Sequence, residues 1–101
     1  MALEGSELAY IAQLASHRNP GFPADSDDIE LFDSIDSLGF DELSELYAVV
    51  VVGRTLDPSN YQGALAQGKS VGFDLVSVLI ANSELGQNII AGARALRIAG
   101  F

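Results

Sequence analysis

IDSLGFDELSELYAVVVVGR, residues 35–54, decides the fold of this chain. Gly39 stands where a helix cap is needed, and Glu42, three residues on, is placed to reach back to the cap amide. Leu38 and Leu43 flank that start as a hydrophobic staple. Leu43, Leu46, Tyr47 and Val50 then recur at helical spacing, and Gly53-Arg54 reads as a stop, with a cation favoured at the helix C-terminus. Val49 to Val52 pull the other way, because four β-branched residues locally prefer a strand. The start signal and stripe precede them, and an apolar helix end fits a central, buried element, so the stretch is read as a helix.

Working outward, Asp27 or Asp28 can cap a preceding helix in which Ile29, Phe32, Ile35 and Leu38 face the core while Glu30, Asp33 and Ser37 face water. Before it, Asn19-Pro20-Gly21-Phe22-Pro23 breaks regular structure, giving a Pro/Gly/Asp loop over about 18–27. Leu8, Ile11 and Leu14 with Ala12 and Ala15 predict a first helix over about 6–17. Downstream, Asp57-Pro58 is a cap followed by proline at the first helical position, and Tyr61, Leu65 and Ala66 continue to a stop at Gly68. Val71 to Ala81 reads partly alternating and partly helical. After the break at Asn82-Ser83, Leu85, Ile89 and Leu96 predict a last helix over about 84–98, with Ala91, Ala95 and Ala99 as a small-residue stripe beside Gly92. The expectation is one all-α domain over 1–101, a compact bundle of five or six short helices. The alternative is α+β, with strands near 48–52 and 71–80.

Composition narrows the function classes. At 101 residues there is one core, and 49% apolar residues are too many for a disordered chain. The longest unbroken apolar run, Leu46 to Val52, falls far short of the roughly 20 residues of a membrane helix. The start, MALEGSEL, carries Glu4 and Glu7 where a signal peptide would carry positive charge, so a soluble, cytoplasmic protein without membrane insertion is expected. No cysteine exists, which removes disulfides, thiolate metal sites and a cysteine nucleophile. The net charge of −9 is concentrated in the first 57 residues, which hold twelve acids against Arg18 and Arg54. Such a surface repels phosphates, so no nucleic-acid partner is expected.

The order Ile35-x-x-Leu38, Asp41-Glu42, Glu45-Leu46, Ala48 and Gly53-Arg54, followed by Val78 to Leu85 and Ile89 to Gly92, resembles the bacterial domain-of-unknown-function family numbered three-seven-seven-five. The resemblance covers roughly residues 29–93. Where that family has an aromatic residue before Gly-Arg and a proline at the later break, this chain has Val51-Val52 and Ser83. It implies a small helical domain and brings no assigned activity.

Residues 25–45 hold nine acids and no base. A calcium loop is refused by spacing, since after Asp25 and Asp27 the next ligand position is Ile29 and the glycine position is Glu30. Solvated acids near helix N-termini, or a docking surface for a basic protein partner, are the remaining readings. Asp36-Ser37-Leu38 resembles the attachment site of acyl carrier proteins, but Ser37 falls at a helix end where that chemistry needs a helix start. His17, the sole histidine, is expected in a surface turn. Arg54 suits pairing with an acid of the preceding helices or, as a lesser role, an anion. The alanine stripe of the last helix would permit close packing inside the chain or a homodimer, and Arg94 and Arg97 could meet the acidic helices. The sequence therefore predicts a non-enzymatic interaction module without metal or cofactor, its contacts drawn from Asp33, Asp36, Asp41, Glu45 and Arg54. A carrier modified at Ser37 and an acidic mimic of nucleic acid are the alternatives.

Overall fold

Phe40–Thr55, here α3, is helical throughout, so Val49 to Val52 form no strand. Val49, Val50 and Val52 are all buried. Burying one valine is worth about 1.5–3 kcal/mol, whereas its helix penalty is at most about 0.7 kcal/mol, so packing overrules local preference. The computed structural model describes residues 2–17 and 26–101, with the backbone alone for Ser26 and Asp27. The expected loop over 18–27 falls largely outside the described residues, as do Arg18 and Asp25.

The other elements are α1 (Gly5–Ser16), α2 (Ser26–Asp36), a 3-10 turn Pro58–Asn60 leading into α4 (Tyr61–Val71), a second 3-10 turn Gly72–Asp74, α5 (Leu75–Ala81) and α6 (Leu85–Ala95). No strand occurs among the described residues, and the fold is an all-α bundle of short helices. α3 is its axis, packed against α6 on one side and α4 on the other, with α1 bridging α6 and α2. Leu8, Ile11, Leu31, Ile35, Leu46, Leu75, Leu79 and Ile89 fill a single core. The radius of gyration of 12.4 Å matches the ~13 Å of a compact chain of 100 residues.

Several sequence expectations hold at residue level. The Gly39 amide donates to Glu42 Oε1 at 3.0 Å, and α1 begins and ends within a residue of its expected bounds. Asp57 caps the Pro58 turn, accepting from the Ser59 amide at 3.0 Å and the Ser59 hydroxyl at 2.7 Å. Those two bonds hold the Asp57 carboxyl below its ordinary pKa.

The glycines correct the expected stops. α3 runs through Gly53 to Thr55, and the left-handed residue ending it is Leu56, with φ 56°. α4 likewise passes Gly68 and ends at Gly72, whose φ of 74° and ψ of −143° suit glycine. Gly53 and Gly92 instead let two helices touch. A Cβ on Gly53 would lie 1.9 Å from the Asn88 carbonyl oxygen, and one on Gly92 would lie 2.0 Å from that of Val49. The close approach of α6 is thus made inside the chain, by Gly92 rather than the alanine stripe. Ala91 and Ala95 are half-buried, and Ala99 lies beyond the helix, which stops at Ala95 rather than about 98. Arg97 has φ 57°, so Arg94 and Arg97 do not share a helix face.

The face of α2 is also corrected. Ile35 and Leu38 are buried as expected, but Ile29 is 59% and Phe32 is 45% exposed, and Leu31 takes the core position. At about 100° per residue, the set 29, 32, 35, 38 winds half way round the helix, whereas 31, 35 and 38 lie within an arc of about 60°. Only the narrower set can face one core.

Pro58–Ala81, 24 residues, is long and apolar enough by length and composition to cross a membrane, and 28% of its most apolar window is buried, but the left-handed Gly72 breaks it into two helical arms. Leu75, Val76 and Leu79 of that stretch belong to the core.

Candidate functional site

Among the described residues, the acids between Asp28 and Glu45 include some engaged in the fold and some left to solvent. Glu42 caps α3, and Glu30 accepts from the Tyr10 hydroxyl, tying α2 to α1. Glu45 is buried, and its two carboxylate oxygens accept from the Ala2 and Leu3 amides at 2.8 Å each. It pins the N-terminal segment across α3 and seats Leu3 in the core. Glu45, expected among the partner contacts, has both oxygens engaged by the chain's own backbone.

Asp33, Asp36 and Asp41 remain exposed, and their side chains have no hydrogen bond or ion pair among the described residues. Asp33 and Asp36 share the outer face of α2 with Ile29 and Phe32, since these four positions fall within an arc of about 100°. Asp41 opens α3, one residue after Phe40, which is itself partly exposed. Negative charge at a helix start is favoured by the backbone dipole, so Asp41 costs the fold little. Arg54 is exposed at the far end of α3, about 20 Å from Asp41 at 1.5 Å per residue. It makes no ion pair among the described residues, so the expected pairing with an acid of the preceding helices does not form there.

Further negative charge gathers where α1 begins. Partial burial, and then the charges of Glu42 and Glu4, push the Glu7 carboxyl above its ordinary pKa. Beside Glu45 a groove of about 430 Å³ is lined by Tyr61, Leu96 and Ile98. Burial, and then the Glu45 charge, raise the Tyr61 phenol. Tyr47 and Tyr61 are half-buried rim residues, and Tyr10 is more exposed.

Compared with known proteins, the chain matches no family model, no curated protein and no solved structure. Function must be read from the surface.

The remaining candidates offer little chemistry. No group of three or more His, Asp or Glu among the described residues is arranged to hold a metal ion. His17 follows α1 in an exposed turn. The Ser37 hydroxyl donates to the Ser34 carbonyl at 2.9 Å, in the turn between α2 and α3, three residues before a helix start. Asn88 buries its carboxamide nitrogen without a hydrogen-bond partner among the described residues. Sequence reasoning missed Ile29 and Phe32 as surface residues; the tighter arc of Leu31, Ile35 and Leu38 is the signal that identifies them.

Proposed function

We propose that this chain is a non-enzymatic interaction module that binds a basic protein partner through the outer face of α2 and the start of α3. The supporting observation is that α2 turns two large apolar residues, Ile29 and Phe32, outward on the same face as Asp33 and Asp36, while the neighbouring acids Glu30, Glu42 and Glu45 are engaged within the fold. Like charges left unpaired on one surface raise the free energy of the folded state and steer an oppositely charged partner. Exposed apolar side chains among them supply area that can be buried on contact.

The test is capture from the native host with the parent and with a variant carrying Asp33→Asn, Asp36→Asn and Asp41→Asn. A discrete basic protein retained by the parent and lost by the variant, most completely at low salt, supports the proposal. Equal capture by both removes the acidic face from recognition. The carrier alternative is separated by intact mass: a prosthetic group on Ser37 in protein from the native host would replace the interaction reading.

A further inference from the structure

Exposed apolar residues are concentrated on one group of contacting elements. α2 packs on α5, and α3 packs on the Gly72–Asp74 turn. These elements, with the end of α4 that leads into the turn, carry Ile29, Phe32, Phe40, Val71, Phe73 and Val78, each at least 40% exposed. The corner between α4 and α5 is the densest part. Gly72 ends α4, and the next residue, Phe73, stands 64% exposed. There its ring meets Phe40 edge-on, with centroids 6.1 Å apart and planes at 62°. The pair gains some edge-to-face energy. Both rings nevertheless leave much of their area in water, which a purely structural pair does not require.

The charges that follow these rings in sequence, and those on the exposed face of α2, are chiefly of one sign. Asp41 follows Phe40 and Asp74 follows Phe73, both exposed, while Asp33 and Asp36 lie on α2. Lys69, exposed in the last turn of α4, is the nearby base in sequence. A negatively charged lipid surface is repelled by such a rim, whereas Lys and Arg flanking apolar anchors complement it.

Resting on the interaction reading above, we infer that the Phe40–Phe73 corner is the anchor site for a basic amphipathic helix. Its apolar side chains, spaced three and four apart, cover the two rings and Val78, and its Lys and Arg residues face Asp33, Asp36, Asp41 and Asp74.

The probe is a synthetic 18-residue peptide of Leu and Lys with helical periodicity, set against a scrambled peptide of equal composition that has no apolar face. Both are titrated into isotope-labelled protein, with affinity from fluorescence anisotropy and location from amide shift changes. The periodic peptide should bind at least tenfold more tightly than the scrambled one, with shifts concentrated at residues 29–41 and 71–78. Phe73→Ser should reduce its affinity to that of the scrambled peptide while leaving the circular dichroism spectrum unchanged; should Phe73→Ser unfold, Val78→Ser on α5 takes its place. Equal binding of both peptides, unaffected by Phe73→Ser, overturns the anchor site and leaves acidic recognition standing. Binding of neither peptide overturns both readings. A dimer in sedimentation that Phe73→Ser dissolves would assign the corner to a second copy, and binding to phosphatidylcholine vesicles lost in the same variant would assign it to lipid. Either overturns the inference.

Discussion

Single residues in this protein are constrained most where helices touch through glycine. Gly53→Ala and Gly92→Ala each drive a Cβ into backbone carbonyl groups of the facing helix, which cannot swing aside as a side chain could. Each should cost at least the upper end of the ~1–3 kcal/mol typical of overpacking, read as a fall in the urea midpoint. Gly63→Ala in α4 is the matched control, because nothing lies within 4 Å of its Cβ, and it should be neutral or stabilising by up to ~1 kcal/mol. At Glu7 the effect is one of pH. Its folded pKa is raised above the ordinary 4.5, so protonation is easier in the folded state than in the unfolded one. The associated stability is complete below about 4.5 and lost as pH rises through the folded value. Glu7→Gln should therefore melt higher than the parent at pH 7, with the gap closing on acidification. A gap that widens in acid would contradict this.

At the scale of elements, α3 is the member on which the others are built. Val50→Asp places an unpaired charge at a position 3% exposed, and its cost of several kcal/mol compares with a total of about 5–15 kcal/mol, so the domain should lose its cooperative melt. The N-terminal segment depends on α3 through one side chain. Glu45→Gln replaces an oxygen acceptor with a donor facing a donor, so one of the Ala2 and Leu3 amides loses its partner. A loss of about 1–3 kcal/mol is expected, with faster hydrogen exchange at residues 2 and 3 preceding any change in α3. Uniform exchange along the chain would show that the segment is not held by this clamp.

For the molecule as a whole, the acidic surface and the core are separable. Asp33, Asp36 and Asp41 make no ion pairs among the described residues, so changing all three to Asn should hold or raise the melting temperature and reduce its dependence on salt. A large loss of stability would mean that these acids support the fold, and the recognition proposal would fall with it. The alternation of engaged and free acids along one stretch explains why nine acids need not make one site. Glu30, Glu42 and Glu45 tie α2 to α1, start α3 and hold residues 2 and 3, and the proposed site draws on Asp33, Asp36 and Asp41.

Helix class, the cap at Gly39 with Glu42, the Asp57-Pro58 start and the buried stripe of α3 were determined by the sequence alone, because capping and periodicity act over three or four residues. The tertiary structure decided what depends on a neighbour. Gly53 reads locally as a stop, and only the backbone of α6 against it shows that it is a crossing point. Asp41 and Glu45 stand one helical turn apart and read alike, yet the segment at residues 2 and 3 covers one and leaves the other in water. For Ile29 and Phe32 the information was present but undecided, since α2 offers two apolar sets and the core accepts the one that fits its width. Burial is a property of what lies opposite a side chain, and that partner is distant in sequence.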